Sequence, residues 1–447
     1  MTPSDTALDL LSDLIARARK AGADAADGVL VEGISISHAQ RLGQIEKLER
    51  SEGYDLGLRV LIGRKQAIVS SNDRSPAALT GLVERALDMA RAVPEDPYCG
   101  LADPADIARE FPTLDSEDPV EPTAEVLIER ARIAEEAARA VPGVTNSEGA
   151  EAGWGSSRVA IVASNGFAGN YGGSGHSVSV SVLAGTGTGM ERDYDFSSAV
   201  YAEDLEPSEL LGRQAGEKAV RRLNSRKVAT CRVPVVYDPR VSSGLVRHLL
   251  GAISGPSITR KTSFLKEKLG QRIFPAAIRI IDDPHRRRGL RSKPFDGEGI
   301  ANRRQALIED GVLTTWLLDL ASARQLGLRS TGHASRGTSS PPSPSPTNVY
   351  LEAGAVTPAE LIADIKEGLY VTELMGQGIN GVTGDYSRGA SGFWIENGVI
   401  TYPVSEITIA GNLNQMFAEL SAANDLVFKS GVDAPTLRVD GMTIAGS

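Results

Sequence analysis

The chain reads as an α+β protein of two domains. Residues 1–228 form an antiparallel sheet with packed helices, and residues 229–447 form a mostly antiparallel β domain, a sheet or barrel-like. Three observations predict this. Tyr54, Leu56, Leu58 and Val60 alternate with Asp55, Gly57 and Arg59, the period of two of a half-buried strand. Elsewhere in the first half, apolar residues recur at helical spacing between start and stop signals. In the second half, short alternating runs are joined by Asp310-Gly311 and Asn397-Gly398, dipeptides that suit tight hairpin turns.

Each element follows in order. Leu8, Leu11, Ile15 and Ala18 mark a first amphipathic helix, with Ser4 or Thr6 as N-cap. The stretches GVLVEGISIS and GQIEKLER then resemble the alternating strand and predict an antiparallel sheet. Ser75-Pro76 supplies an N-cap and a favoured first helical residue, after which Leu79, Leu82, Val83, Ala86 and Ala90 form one stripe ending at Val93-Pro94. EPTAEVLIERARIAEEAARAVPG predicts a third helix that ends at Val141-Pro142-Gly143, and CGLADPADIAREFPTLDSEDPVEP before it reads as a surface connection. VAIVASNGF and HSVSVSVLAG read as strands, and ELLGRQAGEKAVRRLN as a helix. The Pro/Ser-rich segment GHASRGTSSPPSPSPTN, residues 332–348, predicts an exposed, mobile loop. No tandem repeat is present.

Composition excludes several classes. Hydrophobic residues make up 41% and charged residues 23% of 447, as in a soluble globular chain, so disordered and fibrous classes fall away. Forty-seven glycines against 5% aromatics favour extended, turn-rich structure. A net charge of −10 repels a phosphate backbone at long range, so no nucleic-acid partner is expected. MTPSDTALDLLSDLIARARKAG lacks a basic region ahead of its apolar residues, and no run of about 18 apolar residues occurs. A cytoplasmic chain with no membrane partner is therefore expected. Cys99 and Cys231 are too few and too far apart for a disulfide framework or a CxxC metal site, and read as reduced thiols.

Candidate chemistry is sparse. SGLVRHLLGA follows the strand-like VPVVYDP and reads as a helix placed to carry a site, yet its one catalytically usable side chain is His248. Gly376-Gln377-Gly378-Ile379-Asn380-Gly381 matches G-x-G-x-x-G by letters, but a glycine-rich, strand-like stretch follows in place of the required helix. The same loop still gathers Asn380, Asp385, Tyr386 and Arg388, which are taken as candidates for a substrate cleft or interface. His285-Arg286-Arg287-Arg288 with Arg291 and Lys293 reads as a solvated turn offset by nearby acids. The five histidines form no HExxH or H-x-x-E-H, and no G-x-S-x-G or P-loop occurs. A triad assembled from distant residues stays open.

DYSRGASGFWIENGVITYPVSEITIAGNLNQM, residues 385–416, closely resembles the signature of the TldE/PmbA branch of the TldD/PmbA family, and TLRVDGMTIAG and GLRVLIGRKQAIVSSND resemble that family too. The resemblance implies a chain of a two-subunit metalloprotease, once described as a modulator of DNA gyrase. In the TldD branch the helix matching SGLVRHLLGA carries HExxGH, with two histidines as metal ligands and the glutamate as general base. Aligned on Gly251, this chain has Arg247, His248 and Ala252 at those positions. The branch's third ligand, a cysteine ahead of the TLRVDG-like strand, has no counterpart in DLVFKSGVDAP.

By this resemblance the chain is expected to be the non-catalytic partner of a TldD-like subunit, with no cofactor of its own. A zinc-type divalent metal is expected in that partner, with an unfolded peptide as substrate. The isolated chain could pair with a second copy. Two other readings stand beside this one: a regulator or adaptor acting alone, and an independent hydrolase with a relocated site.

Overall fold

The computed structural model describes residues 3–446, with side chains from residue 6 onward. The first domain is built on one long sheet of strands β1 (Ala25–Arg41), β2 (Gln44–Ile62), β3 (Lys65–Ser71), β4 (Val144–Ala163), β5 (Ala168–Ala184) and β6 (Glu191–Ala199), in the spatial order β3-β2-β1-β4-β5-β6. All neighbours are antiparallel. One face carries four helices, α1 (Pro3–Lys20), α2 (Pro76–Ala92), α3 (Ala124–Arg139) and α4 (Ser208–Arg221).

Strand periodicity sorts the side chains. Leu30, Leu56, Leu58, Val60, Ala160 and Val162 meet Leu11, Leu14, Leu79 and Leu82 of α1 and α2 in one core. Farther along the same sheet, Ile36, Trp154, Val178, Val180 and Val182 meet Leu127, Ala131, Leu211 and Ala215 of α3 and α4 in another. The strands thus serve two helix pairs. Between the pairs runs a belt of small residues in register, where Gly33 faces Gly53 and Ser157, and Ser157 faces Gly173.

Local signals act as the residues dictate. Ser75 Oγ accepts from the Ala78 N–H at 3.3 Å and caps α2, which stops before Val93. α1 begins at Pro3, ahead of both proposed caps, so Thr6 lies inside its first turn; the Ser4 side chain lies outside the described residues. In α4, Gly212 and Gly216 let the backbone press against α3: a Cβ on Gly212 would strike Ala134 O, and one on Gly216 would lie 2.8 Å from Ala138 O.

The second domain begins with β7 (Cys231–Tyr237) and α5 (Pro239–Ala252). Short strands follow: β8 (Ile280–Asp282), β9 (Gln305–Glu309), β10 (Val312–Leu313), β11 (Ala334–Ser335), β12 (Ser343–Pro344) and β13 (Val349–Leu351). The last set is β14 (Glu367–Ile379), β15 (Asp385–Glu396), β16 (Val399–Asn412), β17 (Leu420–Ala422), β18 (Val432–Asp433) and β19 (Leu437–Ala445). Strands β16-β15-β14-β7-β19 are hydrogen-bonded in sequence and β16 also pairs with β19, which closes a barrel; only the β14–β7 pair is parallel. A five-stranded sheet, β10-β9-β8-β13-β18, stands beside it. Both hairpin turns sit where the dipeptides place them, with φ of 47° and 77° at Asp310-Gly311 and 49° and 76° at Asn397-Gly398.

One expectation is corrected and another refined. Residues 332–348 are anchored, not free: His333 Nε2 lies 2.9 Å from Asp282 Oδ2, the Thr347 N–H donates to Asp282 at 3.1 Å, and β11 pairs with β12. Arg336 reaches across to Asp27 of the first domain at 2.6 Å, while Ser335, Gly337, Ser339 to Pro341 and Ser343 stay exposed. Residues 99–122 do run over the surface, with Glu110, Phe111 and Val120 exposed, yet they are pinned at several points. Their Ala108 N–H donates to Gly299 O at 2.8 Å, Phe111 packs 4.9 Å from Phe295, and Asp118 is buried against His176. Polar segments can be pinned where their polar groups find partners, and here the partners come partly from the same domain, as at Asp282 and His176, and partly from the other, as at Gly299 and Asp27.

Candidate functional site

α5 is the helix foreseen in SGLVRHLLGA. Asp238 caps it by accepting from the Arg240 N–H at 3.0 Å, and Pro239 occupies its first turn. Leu245, Val246 and Leu249 bury one face in the domain core, which turns Arg247 outward. The Arg247 guanidinium sits 3.5 Å from Ser430 Oγ. Partial burial and Arg291 draw its pKa below the ordinary arginine value, against the pull of Asp433, and it stays a cation at any working pH.

His248 is half-buried and meets Tyr386 edge-on, with ring centroids 5.9 Å apart. Burial, helped by the positive Arg388, pushes its pKa down to about 4, so it is neutral at pH 7. Ala252 presents a buried methyl group. A catalytic divalent ion needs several neutral imidazoles, thiolates or carboxylates converging on one point. Here one position is a fixed cation, one packs against a tyrosine ring and one has no donor. The stretch DLVFKSGVDAP does run beside α5, but what it presents there is the Ser430 hydroxyl and an Asp433 whose Oδ1 is already held by the Lys429 and Ser430 N–H groups at 3.1 and 2.9 Å. Among the described residues, no three His, Cys, Asp or Glu side chains gather as a metal site. The residues present do not fit the metal that the resemblance brings to mind.

The four loop candidates separate into two pairs. Tyr386 and Arg388 lie on β15 toward His248, with Tyr386 fully buried and Arg388 Nε donating to Met375 O at 3.2 Å. Asn380 and Asp385 hold the exposed turn between β14 and β15. Asn380 Oδ1 accepts from the Val382 N–H at 2.9 Å, while Asp385 accepts from Thr383 Oγ1 at 2.6 Å and Asn412 Nδ2 at 3.0 Å. Gly376 and Gly378 belong to strand β14 itself, where a Cβ on Gly378 would strike Ser387 O, and no helix follows to cradle a pyrophosphate.

The arginine cluster is committed to other work. Arg288 binds Asp115 at 3.0 Å, Glu203 at 2.7 Å and Asp204 at 3.0 Å, Arg287 binds Asp115 at 3.3 Å, and Arg286 lies 3.7 Å over the Phe428 ring. Lys293 is half-buried and donates to Ala334 O at 3.1 Å, and His285 Nε2 lies 2.7 Å from Asn302 Oδ1. A cleft of about 190 Å³ opens among these groups, between Ser198 to Val200 at the end of β6 and the Phe428–Asp433 loop beside Arg247. A wider hollow of about 550 Å³ lies between the small-residue belt of the first sheet and Leu290 and Ser292 of the second domain. The clusters GWGSS and GGSG mark that belt in the sequence. A further hollow, about 850 Å³, lies on the opposite, helix-bearing face and has no part in the α5 site.

One buried feature left no readable sign in the sequence. Asp27 is gripped by Arg59, whose Nε lies 3.1 Å away, and by Arg336 at 2.6 Å. Burial alone would raise the Asp27 pKa, but Arg336 and Arg59 together hold it below the usual carboxylate range. Close by, Glu298 accepts from the Leu320 N–H at 2.8 Å, and burial with the charge of Asp296 pushes its pKa well up.

Comparison with known proteins agrees with this architecture. Models of the PmbA/TldA metallopeptidase domain 1, central domain and C-terminal domain match residues 26–90, 117–223 and 230–446. The metalloprotease PmbA of Escherichia coli O157:H7 is 38% identical over 444 residues, covering 98% of this chain and 96% of its own. A Bacteroides thetaiotaomicron structure, solved under the name modulator of DNA gyrase, superposes with a TM-score of 0.91 at 28% identity, over 98% of both chains. TldE of Thermococcus kodakarensis shares the fold, with a TM-score of 0.88 at 22% identity over 98% of this chain and 100% of its own. With its three domain models matched in order and a relative alike along nearly its whole length, the chain belongs to the PmbA/TldD family of metallopeptidase-like proteins.

Proposed function

We propose that this chain is the non-catalytic subunit of a TldD/TldE-type heteromeric metalloprotease acting on unfolded peptides. The observation that carries the reading is the state of α5: Arg247, His248 and Ala252 occupy the positions of a metal-binding helix with none of its donors. A TldD-like partner supplies the metal, which activates water and polarises the scissile carbonyl. This chain contributes walls of the cleft, and an extended peptide pairs its backbone with an open strand edge, a mode with little sequence selectivity. The regulator reading draws no support from Arg286 to Arg288, whose charges are engaged by Asp115, Glu203, Asp204 and an aromatic ring.

The test is titration of this chain into a TldD-like chain of the same source while cleavage of an unstructured peptide is followed. Cleavage should rise to a plateau near equal amounts. Cleavage that is indifferent to this chain would remove the subunit role.

A further inference from the structure

Three arginines meet at one loop. The loop runs from Phe428 to Gly431, between β17 and β18, and walls the cleft of about 190 Å³ beside α5. Arg247 of α5 places its guanidinium 3.5 Å from Ser430 Oγ. The Arg291 stem lies against Gly431, where a Cβ would come within 2.6 Å of Arg291 Cδ. Arg286 stacks 3.7 Å over the Phe428 ring, which fixes its position and leaves its charge without a counter-ion.

The acids nearby are already taken. Asp433 accepts from the Lys429, Ser430 and Gly431 N–H groups at 3.1, 2.9 and 3.1 Å, and Glu206 binds Lys429 at 2.7 Å. Asp115, Glu203 and Asp204 are held by Arg287 and Arg288. Among the described residues, none of Arg247, Arg286 and Arg291 has a carboxylate partner. Partial burial first, and Arg291 next, lower the Arg247 pKa, so the two cations stand close enough to repel. A bound anion removes that cost.

The cleft narrows the kind of anion. It is smaller than the roughly 300 Å³ of a small-molecule pocket, so it admits the end of a ligand and not the whole. Leu290 and Phe428 line it and leave 37% and 39% of their surface in water, which gives an apolar side chain a place to rest. An inorganic anion has no use for such surfaces. Guanidinium forks match a carboxylate through two parallel hydrogen bonds. The last residue of a peptide offers both parts, a carboxylate and a side chain.

We infer that Arg247, Arg291 and Arg286 hold the C-terminal carboxylate of a peptide, with its last, apolar side chain against Leu290 and Phe428. The inference rests on the proposed function for its substrate and deepens it by naming the part of the peptide that this chain takes. The site itself belongs to this chain alone.

Fluorescence anisotropy with the isolated full chain tests it, using a short peptide labelled at its amino end and ending in leucine. The free acid should bind about tenfold more tightly than the same peptide closed as an amide. Arg247→Met and Arg291→Met should each bring the acid down to the level of the amide, while Arg291→Lys, which keeps the charge and loses the fork, should fall between. Both side chains are exposed, so circular dichroism should show the variants equally folded. Equal binding of acid and amide overturns the inference, as does a preference for the acid that both methionine variants keep. Inorganic phosphate that displaces the probe as well as unlabelled acid peptide does would show a general anion site and overturn the peptide as its ligand. Cleavage by a mixture with a TldD-like chain is read separately: cleavage indifferent to this chain removes the subunit role, and loss of acid-selective binding removes the site.

Discussion

At the scale of single residues, His248 shows what burial does to an imidazole on α5. Its pKa falls to about 4 in the fold, against an ordinary value near 6.5 in an unfolded chain. Between those values the unfolded state binds the proton and the folded state does not, so acid favours unfolding. His248→Phe, which keeps a ring against Tyr386, should therefore remove part of the stability loss seen as pH drops from about 6.5 to 4. Melting temperatures of the two chains compared across that range check it; parallel curves would show that the histidine is not held neutral. Rebuilding the missing donors should achieve little. The triple variant Arg247→His, His248→Glu, Ala252→His still lacks a third ligand, and a histidine at buried position 252 costs about 1–3 kcal/mol in overpacking. Calorimetry with zinc should find no tight site in that variant, and stoichiometric tight binding would contradict the account of the helix.

At the scale of elements, glycine positions separate close packing from mere permissiveness. Gly→Ala in a helix ordinarily gains about 0.5–1 kcal/mol. Gly244 in α5 has open space where a Cβ would go, so Gly244→Ala should stabilise by that amount. At Gly212 the new methyl would strike the Ala134 carbonyl, and forcing α3 and α4 apart costs about 1–3 kcal/mol, which outweighs the helical gain. Denaturant unfolding of the two variants should move in opposite directions. These elements were largely legible: capped helices at Ser75-Pro76 and hairpins at Asp310-Gly311 and Asn397-Gly398 depend on local chemistry that neighbouring residues display. The middles of β4 and β5 were not, because GWGSS and GNYGGSG lack the apolar alternation that marks a strand, and their extension comes from pairing with β1 and with each other. The same small residues shape the hollow between the domains, so one part of the candidate site was hidden by the composition that creates it.

At the scale of the whole molecule, the contacts between domains were invisible in advance. Residues 332–348 and 99–122 look like surface chain because they are polar, and some of the partners that pin them lie in the other domain, as with Arg336 and Asp27. Magnitudes rank that contact. Asp27→Asn would leave Arg59 and Arg336 buried side by side without a counter-charge, a loss of about 3–5 kcal/mol. Arg336→Met leaves Asp27 with Arg59 and should cost less than about 2 kcal/mol, since an apolar replacement spares the desolvation of a buried cation. Equal losses in urea unfolding would contradict this ranking. The identities of Arg247, His248 and Ala252 on α5, by contrast, are read directly from the sequence, and the structure adds only their surroundings.

The central claim is that this chain carries no catalytic metal site of its own. The most direct measurement is the metal content of the purified chain by itself, together with its cleavage of an unstructured peptide. The account predicts no stoichiometric divalent metal and no cleavage. One tightly held ion per chain, with peptide cleavage that a chelator abolishes, would contradict it.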